Sequence, residues 1–458
     1  MVNSEFAPLN TLSPLDGRYQ RDVAALIPYC GESALYRARV QIEVEYLVML
    51  TRTRNLPFAP PLEPAQQNQL RQLYLTWNDD SAAAVAAWDR RVNHDVKAVE
   101  YWLRERMTAL GLQRWHEAIH WALTSEDVNN LAYALLLREA RDQVIIPALR
   151  VVASTLRQMA LDEADTVLLA RTHGQPATPT TLGKEMNVFA HRLHRAIQGL
   201  ATIQLTGKLN GATGTYAAQV VAAPQVDWPA FTRAFLKLLD IEPVLLTTQI
   251  EPHDTIAELC DALRRANVIL LDVAMDMWRY ISDGYFSQVS VAGEVGSSTM
   301  PHKINPIDFE NSEGNLHLAN ALLEVLSRKL PISRLQRDLS DSTMLRNLGV
   351  ALGYSLLAYR RTARGLGKLA VNADAMLADV QRHPEVLAEA IQTILRRENY
   401  PEPYEALKRL TRGQTPTLAT IHAFVETLDV TPAVRDELLA LVPENYTGLA
   451  AKLARLKP

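Results

Sequence analysis

The spacing of apolar positions predicts long helices across the middle of the chain. Between residues 112 and 366, apolar side chains recur three and four positions apart over stretches of about 20 residues. This spacing places them on one face of an α-helix. Five such stretches are predicted: after the cap-like segment 124–127, over 182–203, over 256–281, after Pro306, and over roughly 342–366. Five helices of this length indicate a bundle.

The flanking regions show shorter patterns. Residues 1–111 mix short helical stretches with turns, and residues 367–458 read as shorter helices broken by prolines. We therefore predict an all-α chain of three domains: a mostly helical N-terminal domain at 1–111, a central long-helix bundle at 112–366 and a C-terminal helical cap at 367–458.

Composition narrows the class of protein. The 458 residues carry 47 Lys and Arg against 51 Asp and Glu. This near balance argues against a general nucleic-acid binder, which usually has a basic surplus. The two cysteines, Cys30 and Cys260, form no disulfide framework and fit a reducing cytoplasm.

The N-terminus and the apolar runs bear on location. Residues 1–6 have neither a basic start nor an apolar run, so no signal peptide is expected. No apolar run approaches the roughly 20 residues needed to cross a bilayer. We expect a soluble, cytoplasmic protein with no membrane partner.

One polar segment between the long helices has the composition of a functional loop. Residues 292–306 contain two Gly, two Pro, several hydroxyls, a Lys and an Asn. These groups bind carboxylates, and the segment leads into a helix whose N-terminus favours anions. A solvated linker remains the alternative.

Four further segments are polar where packing alone does not require it. They are 171–179 with His173, 124–127, 93–97 and 337–347. Each also has a structural interpretation: a turn histidine, a helix cap, a solvated helix start and a capped surface helix. Among standard motifs, we find no P-loop, G-x-G-x-x-G, G-x-S-x-G or H-E-x-x-H, and we predict no metal site and no cofactor.

The segment from Gly296 to Pro306, GSSTMPHKINP, resembles the G-S-S-x-M-P-x-K-x-N-P signature of the fumarase/aspartase superfamily. Within it, the chain resembles the adenylosuccinate lyases of bacterial purine biosynthesis. The finer likeness lies in these segments: Pro301-His302-Lys303, Arg171-Thr172-His173-Gly174-Gln175-Pro176, 124–127, 93–95 and 13–19. It extends along essentially the whole chain and implies a three-domain fumarase/aspartase-like fold.

The resemblance implies a β-elimination that breaks a C–N bond and releases fumarate. Ser297 would be the general base and His173 the general acid. Lys303 and Asn305 would hold the succinyl carboxylate whose charge grows, and Glu310 would support the site. Family members use no cofactor and no required metal. They act on adenylosuccinate, giving AMP, and on the succinylated aminoimidazole carboxamide ribonucleotide, giving AICAR.

The resemblance also implies the substrate-binding residues. They are Arg18, Tyr19, Asn93, His94, Asp95, Thr124, Ser125, Gln249, Ser298, Lys303, Ile304, Asn305, Asn311, Arg337, Ser342, Thr343, Met344, Leu345 and Arg346. The arginines at 18, 337 and 346 suit a phosphate, because a guanidinium offers a planar fork of donors. A homotetramer, with each site built from three subunits, is implied as well.

Two alternatives remain at this point. One is another lyase of the superfamily, such as an argininosuccinate lyase, against which the His-Gly-Gln and Pro-His-Lys variants argue. The other is a non-catalytic helical scaffold, which would have no reason to keep His173, Ser297, Lys303 and Asn305 together. We also expect residues 288–303 to be mobile and to become protected when ligand binds.

Overall fold

Helices dominate the computed structural model, which describes residues 10–289, 300, 303–411 and 416–457. The α-helices are α1 Gln20–Val23, α2 Ile27–Cys30, α3 Glu32–Arg52, α4 Pro64–Leu75, α5 Asp79–Val92, α6 Asp95–Ala109, α7 Ser125–Ala140, α8 Ile146–Asp162, α9 Leu182–Thr202, α10 Ala217–Ala222, α11 Trp228–Leu238, α12 Asp254–Ser282, α13 Ile307–Lys329, α14 Ser340–Leu345, α15 Leu348–Leu366, α16 Ala373–Gln381, α17 Leu387–Arg397, α18 Pro403–Thr411, α19 Leu418–Glu426, α20 Pro432–Leu439 and α21 Ala450–Ala454. The all-α prediction is confirmed.

Short strands and tight helical turns complete the described residues. The strands are β1 Val167–Leu168, β2 Arg171–Thr172, β3 Gln175–Pro176, β4 Thr180–Thr181, β5 Thr206–Gly207, β6 Glu242–Pro243, β7 Phe286–Gln288 and β8 Leu369–Val371. They pair as antiparallel β1–β4, β2–β3 and β7–β8 and parallel β5–β6. The 3-10 turns are Ala24–Leu26, Gln113–Ala118, Pro384–Val386 and Pro443–Asn445.

Four of the five predicted long helices are confirmed. The first comprises α7, a π-helical turn at Arg141–Ile145 and α8, and the next three are α9, α12 and α13. The fifth prediction is wrong in one respect, because two helices occupy that stretch. α14 ends at Leu345 and α15 begins at Leu348, so Arg346 and Asn347 lie in a turn.

The N-terminal region contains a longer helix than its pattern indicated. α3 has 21 residues, of which 15 are buried, among them Arg39, Glu43 and Glu45. Several buried positions of this helix are polar because they form ion pairs. The spacing of apolar residues therefore does not indicate its full length. The expectation of only short helices before residue 112 was therefore wrong.

The continuous helical stretch Ser125–Asp162 passes a length-and-composition test for a membrane span. It has 38 residues, and its most apolar 18-residue window has a mean hydropathy of 1.4. The expectation above concerned an uninterrupted run of about 20 apolar residues, which is a stricter criterion than this one. A core helix of a soluble protein meets the same criterion, so the finding is weak evidence by itself.

The chain forms two compact units. Unit 1 comprises residues 1–148, 196–268 and 314–360, and unit 2 comprises 149–195, 269–313 and 361–458. The three sequence domains proposed above stay a prediction.

Unit 1 is built around α3. This helix packs against α7 and α4, while α5 and α6 form a hairpin beside it. Two glycines of α15 allow close packing, because a side chain at either position would clash. A Cβ atom at Gly349 would lie 2.8 Å from the Cβ atom of Cys30, and a Cβ atom at Gly353 would lie 2.9 Å from the Leu15 side chain. This contact holds the segment before α1 against α15.

Unit 2 contains the C-terminal helices predicted between prolines. Their apolar core includes Leu387, Ile391 and Leu395 of α17 together with Ile421 and Val425 of α19. Burying each aliphatic side chain of this kind contributes roughly 1.5–3 kcal/mol.

Candidate active site

His173 occupies the tip of a two-residue hairpin in unit 2. β2 and β3 pair through Thr172 and Gln175, leaving His173 and Gly174 as the turn. Both turn residues have positive φ, 54° and 72° respectively. This is the backbone that two-residue hairpins favour, and glycine adopts it without strain. The turn places the exposed imidazole at the tip of the hairpin.

A partly buried hydrogen-bond network fixes the base of this hairpin. The Arg171 guanidinium donates to the Tyr285 hydroxyl at 2.8 Å and to the Asp379 carboxylate at 2.6 Å. Tyr285 also donates to Asp379. Burial raises the pKa of the Asp379 carboxyl, but bonds from Tyr285 and Arg171 outweigh it, and the net pKa is lowered. The hairpin is therefore anchored by an ionised carboxylate.

The described part of the signature loop leads into α13. Lys303 and Ile304 are exposed, Asn305 is half-buried, and the Ile304 carbonyl accepts a hydrogen bond from Gln288 at 2.9 Å. Ser297 and Ser298, the predicted base and its neighbour, lie outside the described residues, as does most of 288–303. The structure therefore gives no test of their roles or of the predicted mobility.

Ion pairs of a buried carboxylate stabilise the first turn of α13. Asp308 is 6% exposed and lies 2.8 Å from Lys368, with Arg361 at 3.8 Å and Arg364 at 3.6 Å. Glu310, on the same turn, accepts from the Trp278 indole at 3.2 Å. Glu310 and half-buried Asn311 thus follow directly on the predicted carboxylate-binding residues.

In unit 1, predicted substrate residues lie at helix starts. Asn93 adopts φ 51° and ends α5, and the His94 ring accepts from the Lys97 N–H at 3.1 Å as the N-cap of α6. The Thr124 N–H donates to the Asp127 carboxylate at 2.9 Å, which fixes the start of α7. The structural interpretation of both segments as helix starts is confirmed, and the predicted substrate residues occupy those starts.

Arg346 joins two of these segments. It donates to the Asp95 carboxylate at 3.0 Å and to the Ser342 hydroxyl at 2.5 Å. Asp95 also accepts from buried Arg39 at 2.6 Å. Although burial opposes it, the charges of Arg39 and Arg346 keep the pKa of Asp95 low. One carboxylate therefore orients two arginines.

The rest of α14 lies beside Ser342. Thr343 is exposed, Met344 is half-buried and Leu345 is buried. Leu345 and Arg346 line a cavity of about 110 Å³ with Tyr133.

Arg337 is held between two buried carboxylates. It lies 3.3 Å from Glu126 and 3.3 Å from Asp341. Asp341 in turn accepts from the Ser342 N–H at 2.7 Å. On its other side, the Nε2 atom of His253 lies 3.9 Å from Asp341.

His253 is an unusual residue in this cluster. It is 1% exposed and has φ 61°, a left-handed conformation that costs a non-glycine residue energy. Its Nδ1 atom lies 3.4 Å from Glu251, whose carboxylate accepts the His253 N–H at 2.7 Å. Burial lowers the pKa of His253, yet the nearby carboxylates of Asp341 and Glu251 overcome this and raise the pKa to about 9.

A second buried pair lies next to the cap of α7. Lys208 and Asp127 are 2.9 Å apart and both fully buried. Lys208 also donates to the Gln249 carbonyl at 2.8 Å, which positions this predicted substrate residue. The Gln249 N–H donates to the Gln336 carbonyl beside Arg337 at 3.3 Å.

The segment bearing Arg18 and Tyr19 packs on α15. Half-buried Tyr19 lies against a small core that contains Leu15 and Leu357, and exposed Arg18 lies 5.9 Å from the Tyr19 ring. A cavity of about 190 Å³ is lined by Ser13, Leu15 and Arg346, among others. The structure thus brings the predicted unit 1 residues into neighbouring segments linked by hydrogen bonds and packing.

Glu126, His253 and Asp341 are residue types that can bind a cation. Among the described residues, one potential ligand atom from each lies within 4.8 Å of the others. Arg337 already forms ion pairs with both carboxylates, so a metal ion would have to displace that guanidinium. We interpret the group as an ion network.

Sequence reasoning overlooked several members of these networks, among them Arg39, Lys208 and His253. Arg39 lies in a helical run and Lys208 directly after the two-residue strand β5, where an isolated charge is usually solvated. His253, between Pro252 and Asp254, matched no motif. A charged residue between apolar neighbours is the only signal that Arg39 gave, and His253 gave none.

The chain matches two family profiles. The family described as Lyase matches residues 17–320, and the one described as Adenylosuccinate lyase C-terminal matches residues 333–447. Among solved structures, similarity extends to a fumarate lyase from Mesorhizobium sp. BNC1, with TM-score 0.75 and 17% identity over 94% of this chain and 96% of that one. The 3-carboxy-cis,cis-muconate lactonizing enzyme from Pseudomonas putida gives TM-score 0.72 and 21% identity over 94% and 95%. These two likenesses establish the fold.

Curated relatives are much more similar in sequence. The adenylosuccinate lyase of Legionella pneumophila (strain Corby) is 48% identical over 448 residues, covering 98% of each chain. That of Escherichia coli (strain K12) is 46% identical over 97% of this chain and 98% of its own. A match of this extent, with the lyase profile and the signature loop, shows that the chain belongs to the adenylosuccinate lyase family.

Proposed function

We propose that this carbon–nitrogen lyase eliminates fumarate from adenylosuccinate, giving AMP, and from the succinylated aminoimidazole carboxamide ribonucleotide, giving AICAR. The observation that carries this proposal is the 48% identity to an adenylosuccinate lyase over 98% of both chains. The linked placement of the predicted substrate residues in unit 1 supports it. We propose that the enzyme acts in purine biosynthesis, in the cytoplasm.

The elimination requires two proton transfers. Ser297, as an alkoxide, removes the proton from the carbon beside a succinyl carboxylate, and the electron pair moves into that carboxylate. The C–N bond then breaks, fumarate forms, and His173 protonates the departing nitrogen. Lys303 and Asn305 bind the carboxylate on which negative charge grows.

The placement of His173 supports its role as the acid. An imidazole carries a transferable proton near neutral pH. Here it stands exposed on a rigid hairpin whose base is locked by Arg171, Tyr285 and Asp379. A fixed position at the tip of a short turn suits proton delivery to a leaving group, because catalysis depends on orientation.

The predicted substrate residues of unit 1 form the nucleotide-binding part of the proposed site. Arg18, Arg337 and Arg346 offer guanidinium groups for the phosphate. Arg337 and Arg346 are oriented by carboxylates rather than free to rotate. Preorganised arginines lose less entropy when an anion binds.

We further propose a homotetramer in which three subunits build each site. Exposed apolar residues at seven-residue spacing support it: Val268 and Met275 on α12 are 44% and 56% exposed, and Leu318 and Val325 on α13 are 51% and 36% exposed. This spacing is typical of helices that pack against other helices. Closed symmetry is the usual outcome for identical chains.

The test of the activity is fumarate release from adenylosuccinate, with argininosuccinate in parallel. We expect fumarate from adenylosuccinate alone. Fumarate from argininosuccinate alone would assign the chain to a related lyase, and none from either substrate would indicate a non-catalytic scaffold.

The role of Ser297 is tested by Ser297→Ala. This variant should bind AMP as the wild-type protein does, while turnover falls by orders of magnitude, because the base is lost and the contacts to the nucleotide remain. Turnover and AMP affinity are measured on the same preparation. Near-normal turnover would exclude Ser297 as the base.

A further inference from the structure

Glu126 lies in a buried group of charges beside the proposed phosphate-binding Arg337. It is 1% exposed. The charged and titratable groups that face it are Arg337 and Asp341 from segment 334–346, His253 from the segment before α12, Lys208 from the segment that includes β5, and Asp127 from its own helix. Glu251 faces His253 from 3.4 Å.

The charges around Arg337 do not balance if every group is ionised. One guanidinium faces two carboxylates, Glu126 and Asp341, each 3.3 Å away. With both ionised, the positive charge of Arg337 is more than neutralised by its neighbours, and its attraction for a phosphate is weakened. A protonated Glu126 leaves that charge available.

The hydrogen bonding of Glu126 also favours a neutral carboxyl. Its Oε1 atom is buried and has no hydrogen-bond partner among the described residues. An ionised carboxylate has about four lone-pair sites to satisfy, so burying it with one bare oxygen is costly. A protonated carboxyl carries no charge, so burying it with an unpartnered oxygen costs less.

The position of Glu126 relative to the substrate residues gives this charge a consequence. Glu126 directly follows Thr124 and Ser125, and Asp341 directly precedes Ser342, to which it is hydrogen-bonded. Burial raises the pKa of Glu126 to about 7, although the charges of Arg337 and His253 act to lower it. Its charge therefore changes in the range where the enzyme works.

We propose that Glu126 is a proton-linked positioning residue, whose carboxyl takes up a proton when a nucleotide phosphate binds at Arg337. The inference rests on the proposed function, because that function assigns Arg337 to the phosphate. The incoming anion opposes an ionised Glu126 and so stabilises its protonated form. Binding and protonation then favour each other.

The sign of the effect follows from this coupling. Below about pH 7, Glu126 is protonated in the free and in the bound enzyme, so affinity is constant. Above about pH 7, Glu126 is ionised in the free enzyme, so AMP binding requires Glu126 to take up a proton. Affinity then falls, by up to about tenfold per pH unit, until Glu126 ionises in the complex as well.

The experiment measures the dissociation constant of AMP between pH 7.0 and 8.5, where its phosphate remains largely dianionic. Wild-type enzyme should bind AMP several-fold more weakly at pH 8.5 than at pH 7.0. Glu126→Gln, which mimics the protonated carboxyl, should vary less than about twofold and should bind more tightly than wild type at pH 8.5. Calorimetry in two buffers of different ionisation enthalpy should show proton uptake by the wild type and less by the variant.

Glu45→Gln is the matched control. Glu45 is also buried in unit 1 and pairs with Arg71 at 2.7 Å, but it touches none of the proposed site residues in these networks. It should follow the wild-type pH profile.

Three results are decisive. Parallel pH profiles for wild type and Glu126→Gln would overturn the inference. Loss of AMP binding by a folded Glu126→Gln at every pH would also overturn it, because the neutral form would then be the inactive one. Fumarate release by the wild type is measured first: its absence would refute the proposed function, whereas its presence with parallel profiles refutes the inference alone.

Discussion

At the scale of single residues, two of the three described histidines with left-handed backbone, His173 and His253, adopt it for different reasons. His173 has φ 54° on an exposed turn, and His253 has φ 61° in a buried network. In the first, the conformation directs a side chain outward. In the second, it turns the imidazole toward Glu251 and Asp341.

The role of His173 is tested by His173→Asn. Asparagine tolerates the left-handed backbone, so the hairpin should persist while the acid is lost. We expect kcat to fall about 10²- to 10⁴-fold with little change in the thermal midpoint. His116→Asn, on the 3-10 turn Gln113–Ala118, is the control and should retain normal kcat. Normal kcat in His173→Asn would assign the acid to another group.

His253 predicts a pH dependence of stability. Its folded pKa, about 9, lies above the ordinary value of 6.5, so its contribution is complete below pH 6.5 and is lost as pH rises through about 9. A shift of this size corresponds to about 3 kcal/mol. His253→Asn should therefore lower the thermal midpoint strongly at pH 6.5 and less at pH 9.5. An equal loss at both pH values would show that His253 does not carry the charge.

At the scale of elements, the β2–β3 hairpin depends on a contact made far away in the sequence. Its base is held by Asp379 of α16 and by Tyr285, which precedes β7. A two-residue hairpin alone is marginally stable in water. The network therefore supplies the rigidity that the hairpin lacks.

Asp379→Asn tests this support. The substitution leaves the Arg171 guanidinium beside a neutral amide, and we expect a loss of about 1–3 kcal/mol in stability and a lower kcat as His173 becomes mobile. Asp283 lines a cavity of about 680 Å³ together with Arg171, Tyr285 and Asp379. Asp283→Asn is the control: it removes only a contact to Arg279, which is 62% exposed, so stability and kcat should both change little. Unchanged kcat in Asp379→Asn would separate the network from catalysis.

At the scale of the whole molecule, the predicted site residues are divided between the two compact units. His173, Lys303 and Asn305 belong to unit 2, whereas Thr124, Arg337 and Arg346 belong to unit 1. In the proposed tetramer, different subunits supply these groups to one site.

Mixing two inactive variants tests that arrangement. His173→Ala and Ser297→Ala proteins, dissociated and reassembled together, should recover part of the activity, because some mixed sites receive both normal residues. Each variant reassembled alone should stay inactive. No recovery, despite mass-spectrometric proof of mixed tetramers, would place both residues of a site on one chain.

The apolar pattern of the sequence determined most of the helices. Spacing of three and four residues is a local property, so α9, α12 and α13 were predicted from it within a few residues. It failed at α3, where buried ion pairs replace apolar contacts, and at Arg346–Asn347, where a turn interrupts an apolar pattern that continues on both sides. Neither feature is visible in the local spacing.

The sequence also determined the identity of the family, because the signature loop and the His-Gly-Gln segment are contiguous and specific. Only the tertiary structure decided how the charges are partnered. Glu126, His253 and Asp341 are separated by more than 80 residues from one to the next, yet they lie together around Arg337. Burial and the nearest partner set the charge of a side chain, and both depend on residues that the chain brings together only when it folds.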